Sequence, residues 1–92
     1  MIEDIKGYKP HSKEKIDKVN RIKEAEIALG EIFKELEEEY SSDYAVSDDT
    51  MFSSEELNAM LERVHQMQLA KDRLKEASMW ACRAVFQPDE KY

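Results

Sequence analysis

The segment ASMWACRAVF, residues 77–86, constrains this chain more than any other. Wound as a helix, it spreads Met79, Trp80, Ala81, Cys82, Val85 and Phe86 around nearly the whole circumference. A surface helix in a small soluble protein carries one apolar stripe and one polar face. An apolar girdle needs cover on every side, and a chain of 92 residues has little material to supply it.

The rest of the chain offers only more helix. Glu, Lys, Ala, Leu and Met are plentiful, whereas Gly and Pro occur twice each, which points to an all-α fold. Residues 1–11 read as an arm: IKGYKPH has a Gly-Tyr step, and Pro10 restricts Lys9 to extended geometry. Ser12 is an N-cap candidate, and residues 12–40 read as one helix with the stripe Ile22, Ala25, Leu29, Ile32, Phe33, Leu36 and Tyr40. Residues 41–53, SSDYAVSDDTMFS, form an acidic connection long enough to be partly mobile. Ser53 and Glu56 have capping-box spacing and open a second helix over 54–87, with Pro88 just beyond and 88–92 as a tail. Residues 1–92 thus read as a single helical domain, an arm plus two long antiparallel helices.

Helices of about 28 and 34 residues are roughly 42 and 51 Å long, whereas a compact domain of this size has a radius of gyration near ~13 Å. A lone hairpin is too thin to bury an all-round apolar segment, and each ordered residue costs about 1–2 kcal/mol of conformational entropy. Both helices also show a second face. On the first, Ile16, Asn20, Lys23 and Ile27 lie about a third of a turn from the main stripe. On the second, Met67, Ala70, Leu74, Ala77, Ala81 and Val85 form a stripe flanked by Leu69 and Trp80, with Met79, Cys82 and Phe86 opposite. Small residues at 70, 77, 81 and 84 invite close approach by another helix. The sequence therefore predicts a homo-oligomeric helical bundle in which copies of the chain cover one another.

Charge narrows the partners. The net charge is −7, but residues 1–23 carry seven Lys/Arg against four Asp/Glu, whereas residues 24–66 carry two against thirteen. An acidic whole disfavours polynucleotides and anionic membranes. No apolar run approaches a membrane span and no secretory h-region opens the chain. The lone Cys82 suits a reducing cytosol.

Catalysis finds no support. Cys82 and His65 stand 17 positions apart, about 25 Å along a helix, too far for a nucleophile and its base. Neither His11 nor His65 has neighbours at metal-ligand spacing, so no catalytic residue, metal or cofactor is expected. The arm is more informative. Tyr8 sits between Gly7 and the Lys9–Pro10 step, an aromatic ring on a short basic tether. Aromatic faces stack on nucleobases, and ammonium groups pair with phosphate. Asn20, Lys23 and Ile27 add an amide, a cation and an apolar floor. These are parts of a small-nucleotide pocket; the plainer reading has Tyr8 stapling the arm to its own helix and Lys23 solvated.

The pattern GYK…S…I…N-R-I-K…A…L-G over residues 7–30, followed by L-A-K…L…A-S-M-W…R-A-V…P over 69–88, resembles the phage anti-CBASS cyclic-nucleotide sponges, above all the short version of T4-like phages. The resemblance spans residues 2–92, with the acidic connection as its divergent part. It implies a helical homohexamer in the cytoplasm of the infected bacterial host. Such a sponge sequesters cyclic dinucleotides such as 3′,3′-cGAMP without degrading them and so blocks CBASS signalling. The family's base-stacking tyrosine corresponds to Tyr8 and its ligand-binding lysine to Lys23. A second family pocket, for cyclic trinucleotides, has its basic residue at Lys71 and a hydroxyl where Ala25 stands. Arg is frequent at the position of Lys71, and Lys lacks its planar fork. Both departures remove hydrogen bonds from that pocket. Two other classes remain open: a phosphodiesterase, for which no metal ligands are visible, and a helical adaptor binding a host protein through its acidic surface.

Overall fold

The computed structural model describes residues 11–90. Two helices, α1 (Lys13–Ala45) and α2 (Ser54–Phe86), each of 33 residues, run antiparallel as a hairpin, and no strand occurs among the described residues. Each start is fixed by local hydrogen bonding. The Ser12 hydroxyl accepts from the backbone N–H of Lys15 at 3.2 Å. At α2, Ser53 Oγ accepts from the Glu56 N–H while the Glu56 carboxylate accepts from the Ser53 N–H, at 3.1 and 3.2 Å. Such a reciprocal box satisfies two of the donors that every helix start leaves orphaned. Gln87 closes α2 in the left-handed region, φ 49°, its N–H reaching the Arg83 carbonyl at 2.8 Å.

α1 runs five residues beyond the end expected at Tyr40, so the connection is 46–53. Ser and Asp at 41–43 disfavour helix by only a few tenths of a kcal/mol each, up to about 0.7. Contact with α2 outweighs that, since Ser41 is half-buried and Ser47 Oγ lies 3.3 Å from Met60 Sδ. The Ser47 hydroxyl also donates to the Asp43 carbonyl at 2.7 Å. Asp48 then organises the turn. Its Oδ1 accepts from the Thr50 hydroxyl, the Thr50 N–H and the Met51 N–H at 2.6, 3.0 and 3.0 Å. The Thr50 hydroxyl above all, then these backbone donors, hold the Asp48 carboxyl below its ordinary range.

The helices meet along a seam spaced by threes and fours, in strict alternation on α2. On α2 it comprises Leu57, Met60, Val64, Met67, Lys71, Leu74, Ser78, Ala81 and Val85, none of them exposed. That is a heptad pattern sustained over four repeats, the mark of coiled-coil packing. On α1 the matching row is Val19, Ile22, Glu26, Gly30, Phe33, Glu37 and Tyr40. Here the structure departs from the stripe expected by counting apolar residues: Leu29 is 41 % exposed, Ile32 50 %, and Ala25 is exposed as well. The cause lies in Gly30 and Glu37. Gly30 has no side chain, so Leu74 comes so close that a Cβ on Gly30 would stand 3.7 Å from Leu74 Cδ2. Glu37 faces α2 because Lys71 is there to pair with it, Nζ to Oε1 at 2.5 Å. On α2, Cys82 and Phe86, expected opposite the stripe, are half-buried, as are Ala70 and Ala81; Ala77 and Ala84 are exposed.

A two-helix seam buries little. Among the described residues only Val19 and Ser78 are classed as buried, and no large side chain is fully enclosed. The molecule measures 63 × 28 × 20 Å with a radius of gyration of 19.9 Å, against about 12 Å for a compact chain of this length. It exposes 7440 Å², whereas a compact monomer of its mass exposes roughly 5500 Å². Trp80, Met79, Leu69 and Leu61 on α2, with Ile16, Ile27, Leu29 and Ile32 on α1, are exposed large apolar side chains.

Candidate functional site

Three of the expected site residues lie in one exposed stripe of α1. Asn20, Lys23 and Ile27 follow Ile16 at spacings of four, three and four, so the four side chains share one helix face. All four are exposed, Ile27 to 61 %. The stripe thus alternates apolar and hydrogen-bonding groups: an amide that donates and accepts, an ammonium that donates three times, and isoleucines that can lie flat against a ring. Tyr8, Lys9 and Pro10 lie outside the described residues. His11, the first described residue, stacks its ring on Phe86 with centroids 3.8 Å apart.

Ala25 and Lys71 are not brought together within one chain. They line separate hollows on either side of the seam, and Glu26 and Leu74 belong to both. The Ala25 hollow, about 240 Å³, is walled by Ile22, Leu29 and Ala77. The Lys71 hollow, about 200 Å³, has a floor of Ile27, Gly30 and Leu74 and a rim of Lys34, Lys71 and Lys75. Lys34 and Lys75 escaped sequence reasoning because they come from opposite helices and are far apart along the chain. Their signal was the register of the hairpin, which pairs α1 residue 37 with α2 residue 71 and so sets 34 near 75.

Lys71 is already engaged. Its side chain is 32 % exposed and that of Glu37 18 %, an intermediate setting where a broken pair costs more than on the open surface. The Lys71 hydrogen bond is the main influence holding the Glu37 carboxyl below its ordinary range; it outweighs the upward push of burial, and a hydrogen bond from Gln68 adds to it. An anion entering at Lys71 would therefore meet the Glu37 carboxylate as well. Arg63 is likewise committed, its guanidinium carbon 3.8 Å from the centre of the Tyr40 ring. Lys23 forms no ion pair with another described residue, and its side chain is exposed on α1.

Fold and surface together define a helical hairpin of coiled-coil type that displays its polar and apolar groups outward. No group of three or more His, Cys, Asp or Glu suited to a metal ion occurs among the described residues, and no helix there is long and apolar enough to cross a membrane. The chain belongs to the Acb2/Tad1 hairpin domain family, which it matches over residues 3–86. Over its full 92 residues it is 55 % identical to the whole of Anti-CBASS protein 2 of Enterobacteria phage T4.

Proposed function

We propose that this protein is an anti-CBASS sponge: it binds cyclic dinucleotides in clefts between copies of itself and withholds them, uncleaved, from the host's CBASS effectors. The observation that carries this reading is the full-length relationship to Anti-CBASS protein 2 of phage T4, joined to an exposed stripe of Asn20, Lys23 and Ile27 on α1. Tyr8 stacks on a base and Lys23 pairs with a phosphate. Asn20 hydrogen-bonds the ligand, Ile27 supports it, and Lys9 and Pro10 complete the arm that covers it. A second copy, packed on exposed apolar side chains such as Leu29, Ile32 and Trp80, closes the cleft, and six copies complete the assembly.

Two features favour dinucleotide over trinucleotide. Lys71, the basic residue of the second pocket, already pairs with Glu37, and Ala25 offers no hydroxyl. Capture is stoichiometric, so it is useful only at high affinity: a nanomolar dissociation constant, about −12 kcal/mol, is expected. The test is direct. The protein is incubated with 3′,3′-cGAMP, heat-denatured, and the supernatant chromatographed. Full recovery of intact cyclic ligand that was protein-bound before heating supports the sponge. Linear product makes the protein a phosphodiesterase, and absence of bound ligand leaves the adaptor reading in its place.

A further inference from the structure

Away from the Asn20–Lys23–Ile27 stripe, the seam carries a residue that decides what the protein refuses. We infer that Glu37 is a built-in counter-ion that keeps a latent anion site shut. By occupying Lys71 it bars ligands with several phosphates from the hollow rimmed by Lys34, Lys71 and Lys75. The inference rests on the sponge reading and adds to it a specificity-determining residue.

The hollow itself has the chemistry of an anion site. Its floor of Ile27, Gly30 and Leu74 suits a flat apolar body, and three lysines stand on its rim. Lys34 and Lys75 are exposed and form no ion pair with another described residue. Ammonium groups around an apolar floor recognise phosphorylated compounds whose rings can lie on that floor. What opposes such a ligand is the Glu37 carboxylate. Its side chain is 18 % exposed and accepts from Lys71 Nζ at 2.5 Å, while Gln68, one turn before Lys71 on α2, adds a second hydrogen bond. Two groups thus fix the carboxylate where it is. Glu26 also lines the hollow, so two carboxylates offset three ammoniums and leave a single positive charge. Neutralising Glu37 doubles that surplus and frees Lys71 as well.

Distance makes the effect selective. Glu37 stands 14 positions after Lys23, about 21 Å along α1. Exposed charges that far apart are screened at physiological salt, where the Debye length is about 8 Å. Glu37 therefore leaves a dinucleotide phosphate at Lys23 untouched. A phosphate at the lysine rim, by contrast, comes within a few ångströms of the carboxylate. In this half-buried setting one such repulsion lowers affinity by about 5- to 50-fold. A ligand with three phosphates loses most, because it calls on all three ammoniums.

The experiment measures binding of cyclic triadenylate and of 3′,3′-cGAMP to the intact protein by calorimetry, with light scattering and circular dichroism on each variant. Glu37→Gln is expected to tighten cyclic triadenylate binding about 5- to 50-fold and to leave the affinity for 3′,3′-cGAMP as in wild type. Adding Lys71→Met, or Lys34→Ala with Lys75→Ala, removes the gain. Glu38→Gln, which removes an exposed carboxylate one position along, changes neither affinity and so separates a local contact from a change in net charge. Unchanged triadenylate binding in a folded Glu37→Gln variant, an equal gain in Glu38→Gln, or a parallel gain for 3′,3′-cGAMP overturns the inference. Should Glu37→Gln fail to fold, Glu37→Asp, whose carboxylate stops one methylene short of Lys71, takes its place under the same outcomes. A wild type that binds no cyclic dinucleotide refutes the sponge reading and this role with it; a binding wild type whose Glu37→Gln variant gains nothing refutes only this role.

Discussion

Replacing Gly30 with alanine should make the protein more stable. Glycine inside a helix costs about 0.8–1.0 kcal/mol relative to alanine, because it surrenders more backbone freedom on folding. Gly30 lies in the middle of α1 in ordinary helical conformation, so an alanine there meets no backbone strain. Its Cβ would stand 3.7 Å from Leu74 Cδ2, ordinary van der Waals contact with a flexible side chain. Nothing offsets the propensity gain, and a small apolar contact adds to it. For a domain of this size 1 kcal/mol corresponds to roughly 4–8 °C in Tm. The assay is thermal melting by far-UV circular dichroism at equal protein concentrations, since association makes Tm concentration-dependent. A rise of that order is expected. A fall would mean that the new methyl strikes something nearer than Leu74, either because the helices meet in another register or because a neighbouring copy sits directly on Gly30. Gly30→Leu sets the opposite sign, because its larger side chain overpacks the seam at a cost of about 1–3 kcal/mol.

Tyr8→Ala should weaken 3′,3′-cGAMP binding by roughly 5- to 150-fold, the loss of one base stack, and Lys23→Glu more severely by placing a carboxylate beside phosphate. Calorimetry measures both, and light scattering should show unchanged assemblies; a smaller species would make the residue structural. Glu37→Gln should destabilise the protein by about 1–2 kcal/mol, between surface and buried pairs, while Glu37→Gln combined with Lys71→Met recovers much of that. Because the Glu37 carboxyl is held below its ordinary 4.5, its pair contributes fully at neutral pH and is lost as pH falls below that value through the lowered one; acid melts of wild type and Glu37→Gln should therefore converge. Trp80→Arg places a charge on a side chain 60 % exposed in the single hairpin and should shrink the assembly seen by light scattering with α-helix content retained; an unchanged size would remove Trp80 from the contact between copies.

Helix starts were legible in the sequence because capping is local chemistry. Ser12 and the Ser53–Glu56 pair satisfy backbone donors within one turn, and nothing distant competes. The far end of α1 was not legible, since Ser41–Asp43 are weak helix formers carried along by contact with α2. The rotation of α1 was hidden for a different reason. Its seam includes Gly30, Glu26 and Glu37, which a count of apolar residues discards, while Leu29 and Ile32, which such a count selects, point away. Read as a strict alternation of threes and fours on α2, with Lys71 and Ser78 admitted as members, the seam was present in the sequence all along. The Asn20–Lys23–Ile27 stripe was readable from its spacing alone. The lysine rim of Lys34, Lys71 and Lys75 was not, because it exists only once two helices have been set in register.

Central to the proposal is a hairpin that fully encloses no large side chain among its described residues and whose ligand would lodge between copies. Sedimentation velocity of the purified protein at micromolar concentration, followed at two wavelengths in the presence of 3′,3′-cGAMP, tests both halves at once. The expected result is one boundary well above the mass of a single chain, with the nucleotide absorbance travelling in it. A stable, folded single chain that carries the nucleotide by itself, or an assembly from which the nucleotide stays behind, would contradict it.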